Sequence, residues 1–417
     1  MQKKIALRFI IGLVVMAVLF IGYGWLKNWE KDPGAAERID SAGMVAAIEE
    51  DSDGSRAVLF QPNGEKIVDK QWKAPTQEAT ISWMPDGNRL VFTSDRGGKS
   101  QNLFFWMPLK DETVKFMEQS RSMTAPWYAP NDPSQPSGLI LAGGNVMEFV
   151  PRGRQIKQVL PPLIKDAVGG GEEGGGRSST MEAVYKNLGS SFKAAKYVAD
   201  REAILTVMRR EDGEVAVLNF MSAGVDGKPR MPVPLVAGAR VEIDSDGVGN
   251  AIIVVQDFKF TDPDNIPEQF RKDGKIARPY KNAVILLSNA ASQQPDIKYA
   301  MVVPEDQAEV FSFPSVSPDG SKAAIVVSRI TGENKAEPLG LVVMPMKEGG
   351  GRELSQLVVG DVSSPSWSPD GKRLVFIKRE PNGKGGLYRI NADGSDATRI
   401  AEGEFSNPVF SPQMPKS

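Results

Sequence analysis

The chain has 417 residues, with 50 Lys and Arg against 52 Asp and Glu, and it contains no His and no Cys. This composition excludes a disulfide framework, a zinc site built on Cys or His, and catalysis by an imidazole. A net charge of −2 argues against a dedicated nucleic-acid-binding protein, and 41 Gly with 30 Pro predicts a globular chain rich in turns.

An apolar segment lies near the amino terminus. Residues 9–26 read FIIGLVVMAVLFIGYGWL, without a charged side chain, which is near the lower length limit for a membrane-spanning helix. Basic residues precede the segment and aromatic residues follow it, as in a signal anchor. We therefore predict a cytoplasmic basic tail at 1–8, an uncleaved anchor at 9–26 and a stalk at 27–37. A cleaved signal peptide and a buried core helix are the alternatives.

A repeated turn sequence dominates the rest of the chain. Three copies begin at Trp83 (WMPDGNRLVFTS), Val316 (VSPDGSKAAIVVS) and Trp367 (WSPDGKRLVFIK). In such a turn Pro presets φ, Asp accepts hydrogen bonds from its own backbone, and Gly adopts positive φ. The copies predict tight hairpins between β-strands. Their turn residues are Pro85, Asp86, Gly87, Pro318, Asp319, Gly320, Pro369, Asp370 and Gly371.

Each copy continues with two further apolar segments, which gives four strands in about 40–50 residues, the size of a propeller blade. Weaker copies fill the gaps between the clear ones. The last segment, Ser406–Pro412, matches the opening strand of a blade and predicts that the ring closes by pairing with the first blade. We predict an all-β chain with a β-propeller over 38–412, of seven or alternatively six four-stranded blades, and a tail at 413–417.

The repeat resembles a known family. The Pro-Asp-Gly frame, followed by LYRINADGSDATRI at Leu387–Ile400, is similar to the PD-type repeat of TolB-like β-propellers. Related repeats build the propellers of prolyl oligopeptidases and dipeptidyl peptidases. The resemblance is strong over 79–117 and 310–412 and weak over 121–304. It implies protein–protein contacts in the bacterial cell envelope, although the residues with which TolB-like proteins bind partners have no match here.

The sequence predicts no enzymatic activity. The related peptidases carry their catalytic residues in a separate domain with a G-x-S-x-G sequence and a His, and this chain has neither. We predict no cofactor. Two DSDG sequences lack the later ligands of a calcium loop, and the Gly-rich run at 169–176 lacks the Lys of a nucleotide-binding loop. The turn Asp residues are interpreted as structural.

A long polar insertion interrupts the fifth predicted blade. It reads TDPDNIPEQFRKDGKIAR over residues 261–278, with room for a short helix at Ile266–Lys272. Long insertions on the rim of a propeller often carry its binding surface. The candidate interaction residues are Asp262, Asp264, Glu268, Phe270, Arg271 and Lys272.

These observations predict a non-enzymatic scaffold for protein–protein interaction in the bacterial cell envelope. The expected location is the inner membrane, crossed once, with the amino terminus inside and the propeller in the periplasm or outside. Envelope proteins are the expected partners, and neither nucleic acid nor nucleotide is expected. The alternative function is a sensor or carrier that binds a glycan or peptidoglycan fragment in the central channel.

Overall fold

The computed structural model describes residues 41–413, apart from 97–99, 109, 117–122, 129–136, 152–154, 163–182, 200–201, 222–229, 261–270, 273–274, 277–279, 293 and 333–334. The predicted basic tail, anchor and stalk lie outside the described residues. Among the residues that are described, no helix has both the length and the apolar character needed to cross a membrane.

The described chain is a propeller of seven four-stranded blades, which confirms seven rather than six. The strands of blades 1 to 4 are β1 (Val45–Asp51), β2 (Gly54–Phe60) and β3 (Lys66–Val68); β4 (Glu78–Trp83), β5 (Leu90–Ser94), β6 (Asn102–Met107) and β7 (Glu112–Lys115); β8 (Met123–Tyr128), β9 (Gly138–Ala142), β10 (Asn145–Val150) and β11 (Gln155–Leu160); and β12 (Ser191–Ala199), β13 (Ala203–Arg210), β14 (Gly213–Phe220) and β15 (Val233–Gly238).

Blades 5 to 7 follow in the same order, and the last strand of the chain returns to blade 1. The strands of blade 5 are β16 (Arg240–Ser245), β17 (Ala251–Gln256), β21 (Tyr280–Ser288) and β22 (Asp296–Pro304), with β18 (Lys259–Phe260), β19 (Arg271–Lys272) and β20 (Lys275–Ile276) between them. Blade 6 has β23 (Glu309–Val316), β24 (Lys322–Gly332), β25 (Lys335–Pro345) and β26 (Ser355–Val359), and blade 7 has β27 (Asp361–Trp367), β28 (Arg373–Arg379), β29 (Gly385–Asn391) and β30 (Thr398–Glu402). The innermost strand of blade 1 is β31 (Glu404–Phe410).

Within a blade, burial follows the position of the strand. The second strands β5 and β9 are buried at every position, because a blade packs against a neighbour on both of its faces. The outermost strands β26 and β30 are mostly exposed or half-buried. Apolar clusters fill the spaces between neighbouring blades. Trp83 lies in the cluster between blades 1 and 2, and Trp367 in the cluster between blades 6 and 7, so both of these residues pack between neighbouring blades.

The ring closes as the sequence predicted. Strand β31 pairs antiparallel with β1, with Val45 opposite Phe410 and Glu50 opposite Glu404. The two ends of the propeller are also joined by side chains, because the Ser41 hydroxyl lies 2.6 Å from the Ser411 hydroxyl. The closing blade therefore combines strands from both ends of the described chain, and β1 is paired on both of its sides, with β2 and with β31.

The two faces of the ring differ. The face we call the turn face carries the connections between the first and second strands of each blade and between the third and fourth. The opposite face, here called the loop face, carries the connections between second and third strands and from one blade to the next. On the loop face, the link from β17 to β21 spans residues 257–279, and the link from blade 3 to blade 4 includes a short helix at 183–188.

Candidate functional site

The predicted repeat turns lie together on the turn face. Gly87, Gly320 and Gly371 have φ of +66°, +67° and +66°, in the region that favours glycine. The Asp319 carboxylate accepts hydrogen bonds from the Ser317 hydroxyl at 2.6 Å and the Ser321 N–H at 3.1 Å. Each of these turns therefore satisfies its own polar groups.

The other two turn carboxylates are held in the same way. The Asp370 carboxylate accepts a hydrogen bond from the Ser368 hydroxyl at 2.6 Å, and that of Asp86 pairs with Arg89 at 2.7 Å. Hydrogen bonds from Ser317 and Ser321 lower the pKa of Asp319. Burial alone raises the pKa of Asp370, but the bonds from Ser368 and the Lys372 N–H outweigh it and leave this pKa below its ordinary value. Carboxylates bound within their own turns leave little capacity for a ligand.

Two of the turn glycines also permit close contact with the preceding blade. A Cβ at Gly320 would lie 2.5 Å from the Asp246 carboxylate, and one at Gly87 would lie 2.5 Å from the side chain of Gln413. At Gly371 the nearest atom, on Pro318, is 4.0 Å away. The turns thus form a row of contacts around the turn face.

The first strands of the blades line the central channel, where a cavity of about 550 Å³ opens. Blades 6, 7 and 1 form one wall of this cavity, and each has a bulge in its first strand, where Phe313, Ser364 and Asn407 have φ of +50°, +51° and +51°. A proline follows each of these residues. We call this side, which carries no charged side chain at the bulges, the neutral wall.

Blades 4 and 5 form the opposite side, which we call the charged wall. Lys193 donates to Glu214 at 2.8 Å, and Lys196 forms an ion pair with Asp244. Two carboxylates of blade 5 also accept backbone N–H groups of blade 6: Glu242 accepts from Phe313 at 2.5 Å, and Asp244 accepts from Val316 at 2.7 Å. The charges of this wall are therefore used to bind neighbouring blades together.

Phe313 combines a bulky, exposed side chain with a positive φ. A bulky side chain rarely adopts positive φ, and such strain persists where the surrounding structure holds it. Here the bond from the Phe313 N–H to Glu242 holds the backbone, while Phe313 remains 37% exposed. An exposed aromatic ring in a concave, proline-lined cavity is a contact point for an apolar part of a ligand.

The predicted interaction insertion is described only in part. Asp262, Asp264, Glu268 and Phe270 lie outside the described residues. Arg271 and Lys272 form β19, which pairs with β20, so the end of the predicted short helix is a strand instead, because a local hairpin supplies the backbone partners. Strand β18, which lies just before the insertion, adds a fifth strand to blade 4 by pairing with β15, and so covers part of its outer edge.

The loop face carries two further features. Strands β24 and β25 have 11 residues each against 7 in β28 and β29, so their hairpin extends roughly 13 Å further. A cleft of about 850 Å³ lies between blades 3 and 4, with Tyr185 and Phe192 in its lining beside Lys186 and Arg210. The hydroxyl of Tyr185 donates to Asn219 at 2.7 Å, and burial raises the pKa of this tyrosine.

Metal ligands are scarce in the part of the chain that the structure describes. It contains no group of three or more acidic side chains placed to hold a metal ion. The sequence alone did not lead to a prediction of the channel bulges. A Ser-x-Pro sequence nevertheless recurs in the first strands of blades 6, 7 and 1, at Ser312–Pro314, Ser363–Pro365 and Ser406–Pro408. That recurrence is the feature that could have located them.

Comparison with known proteins gives partial matches. No protein-family model matches the chain. It is 30% identical over 103 residues to the uncharacterized peptidase YuxL of Bacillus subtilis (strain 168), and the matched region covers 24% of this chain and only 15% of that protein. Among solved structures, TolB from Acinetobacter baumannii is similar with a TM-score of 0.48 and 15% identity, over 90% of this chain and 68% of that one. The β-propeller that the resemblance implied is present in the structure itself, as seven blades.

A peptidase is also among the similar structures. The puromycin-hydrolyzing peptidase of Mycobacterium tuberculosis matches with a TM-score of 0.50 and 10% identity, over 86% of this chain and 53% of that chain. These peptidase matches contradict the prediction that the chain is not an enzyme. That prediction took the lack of His and of G-x-S-x-G as a lack of activity. A propeller covers only part of such peptidases, so its own residues do not decide whether the protein takes part in hydrolysis.

Proposed function

We propose that this chain is a membrane-anchored propeller of the bacterial cell envelope that binds a protein partner through its loop face. The observation that carries the proposal is that the amino-terminal end of the described chain lies at one face of the ring, whereas the longest hairpin and the largest cleft lie at the other. The described chain enters the ring at the turn face, where the Ser41 hydroxyl donates to the Gly87 carbonyl at 2.6 Å. The extended hairpin, the ends of the link from β17 to β21 and the large cleft all belong to the opposite face.

This arrangement suits a tethered binding protein. The apolar segment at 9–26 precedes Ser41 by a short stretch of chain, so a membrane anchor there would hold the turn face toward the lipid. The loop face would then point away from the membrane. Confinement at a surface raises the effective concentration of a binding site toward partners in the same compartment.

Site-specific photo-crosslinking in living cells tests the proposal. A photoreactive amino acid is placed either at Ile330, in the extended hairpin of the loop face, or at Lys372, in an exposed turn of the turn face. We expect a discrete crosslinked protein from position 330 and none from position 372. Crosslinks from position 372 alone, or the same products from both positions, would contradict the face assignment.

The anchor is tested separately by cell fractionation. Removal of residues 9–26 should move the protein from the membrane fraction to the soluble fraction, while the ring keeps its melting temperature because the strands of all seven blades lie within residues 45–410. Membrane association that survives this removal would contradict the anchor and leave the loop-face proposal standing.

Ligand binding in the channel is a second candidate function, favoured by the exposed and strained Phe313. A cavity of about 550 Å³ is large enough for a glycan or peptidoglycan fragment. Calorimetric titration with defined muropeptides tests this function. Binding that falls at least tenfold in Phe313→Ala would support it, and absence of binding to the intact protein would remove it.

Peptide hydrolysis is a third candidate, favoured by the match to the B. subtilis peptidase. The 417 residues contain no His, so a nucleophile in this chain would need a Lys or a carboxylate as its base. Incubation of the purified protein with a blocked peptide library, read by mass spectrometry, tests for cleavage. Products that form in proportion to protein concentration would support this function.

A further inference from the structure

A buried cluster of three charged side chains joins blades 1 and 2. Asp69 follows β3 in blade 1, Glu78 begins β4 in blade 2, and Arg96 follows β5. Both carboxylates are fully buried and the Arg96 side chain is 12% exposed. The guanidinium of Arg96 pairs with both carboxylates, and it lies 4.9 Å from the ring centre of Phe92 and 5.5 Å from that of Phe104.

The charges of this cluster do not balance. Two buried carboxylates face one guanidinium, and the other donor to the Glu78 carboxylate is the neutral N–H of Ala57. A buried net charge is costly, and two carboxylates that share one site resist double ionisation. The cluster therefore favours a state in which one carboxyl group holds a proton.

Among the described residues, the basic side chains that adjoin Ala57 and Asp69 in the chain pair with carboxylates outside the cluster. Arg56 pairs with Glu49 at 2.8 Å, and Lys70 pairs with Asp111 at 2.8 Å. The acidic residue next to Arg96 in the chain, Asp95, is also engaged outside the cluster, because its carboxylate accepts a hydrogen bond from the Gln77 N–H at 2.7 Å.

The composition of the chain leaves few groups that can titrate near neutral pH. Without His, no side chain has an ordinary pKa between about 5 and 8. We infer that the Asp69–Glu78–Arg96 cluster takes up a proton when the ring folds, and that it makes the seam between blades 1 and 2 responsive to pH in this range. Blade 1 is also the blade in which β31 closes the ring, so the seam lies beside the closure.

The direction of the response follows from Glu78. Burial raises the pKa of Glu78 to about 7, against the opposing influence of Arg96 and the Ala57 N–H. Since this value lies above that of an unfolded glutamate, about 4.3, the folded ring binds more protons than the unfolded chain. The stabilising contribution is complete below about pH 4 and is lost as the pH rises through about 7. Acidification of the compartment thus tightens the seam, and a rise in pH loosens it.

Hydrogen exchange of the full-length protein between pH 5 and 7 tests the inference. Peptides that cover β1 and β4 are compared after correction for the intrinsic exchange rate. Their opening constant should rise by up to about tenfold per pH unit, the value for one proton. Glu78→Gln should flatten this dependence because it removes the titrating group. Asp69→Asn should move the dependence to lower pH, because it removes a negative charge that raises the pKa of Glu78.

Glu402→Gln provides the matched control, because Glu402 also pairs with basic side chains but lies in blade 7, away from the cluster. It should keep the dependence of the wild type. A flat profile in the wild type would overturn the inference even if a variant fails to fold. So would a slope that persists unchanged in Glu78→Gln.

Discussion

Blades 6 and 7 carry the Pro-Asp-Gly repeat, whereas blades 4 and 5 form the same four-stranded sheets without it. In blade 6 the link between the first two strands is a tight turn in which the Gly320 N–H donates to the Ser317 carbonyl at 2.8 Å. In blade 5 the equivalent link, residues 246–250, is of the same length but lacks the proline, and Asp246 accepts from the N–H groups of Val248 and Asn250. The repeat therefore marks one kind of turn, and the blade itself depends on its apolar strands.

What holds the blades to one another differs in the same way. Blades 6 and 7 are joined by the Trp367 ring, whose N–H donates to the Ser315 carbonyl at 2.9 Å. Blades 4, 5 and 6 are joined at the channel by carboxylates of blade 5. The seam between blades 6 and 7 thus contains a packed aromatic ring, whereas the seams on either side of blade 5 add carboxylate contacts to their apolar clusters.

Valine substitutions at the turn glycines of blades 6 and 7 should destabilise the ring to different degrees. Gly320→Val should lower the free energy of unfolding by about 3 kcal/mol, because it combines positive φ with a clash against the Asp246 carboxylate. Gly371→Val, with almost the same φ and open space around it, should cost about 1 kcal/mol. Urea denaturation measures both values. Equal costs would show that the contact between blades 5 and 6 contributes nothing.

Removal of a charged contact tests the region without repeats. Asp244→Ala should destabilise the ring by about 2 kcal/mol, because it leaves the Lys196 ammonium and the Val316 N–H without their partner. Asp246→Ala, in the loop of the same blade, is the control and should cost less, since it leaves only exposed or half-buried N–H groups. Thermal denaturation at pH 7 compares them. A smaller effect at Asp244 would mean that apolar packing alone holds blades 4 to 6.

The three blades of the neutral wall have different residues at the bulge position, and replacement of Phe313 tests how that residue affects stability. Blade 1 has Asn407 and blade 7 has Ser364 at the bulge where blade 6 has Phe313. Asn tolerates positive φ better than a bulky residue, so Phe313→Asn should stabilise the ring by about 1 kcal/mol while keeping the backbone bond to Glu242. Calorimetry measures the change in melting temperature. Destabilisation would show that the Phe313 ring contributes packing that outweighs its backbone strain.

Much of the fold could be predicted because the repeat is local. Pro318, Asp319 and Gly320 specify their turn within a few residues, and Ser406–Pro412 matches the start of a blade by itself. The bulge at Phe313 could not be predicted in the same way. A residue before proline normally adopts an extended conformation, and the contact with Glu242 that holds it at positive φ comes from 71 residues away.

The candidate site was harder to predict than the fold for the same physical reason. Lys196 and Asp244 are 48 residues apart and meet only because their strands line one channel. Asp69, Glu78 and Arg96 are ordinary charged residues in the sequence, and their imbalance appears only when burial is known. Chemistry that depends on distant partners requires the ring, whereas turn chemistry does not.

The smallest expected effect concerns the pH dependence of a repeat turn. Hydrogen bonds from Ser317 and Ser321 lower the pKa of Asp319 below that of an unfolded aspartate. The stability that they provide is present above about pH 4 and is lost as the pH falls through the folded-state pKa. Asp319→Asn should therefore reduce the loss of stability between pH 4 and 3, measured by thermal denaturation, while changing stability little at pH 7 because an amide oxygen accepts the same bonds. If Asp319→Asn leaves the acid response unchanged, the blade 6 turn depends on Gly320 and Pro318 alone. The Asp319 carboxylate would then not be needed for this turn, just as blade 4 forms without the Pro-Asp-Gly repeat.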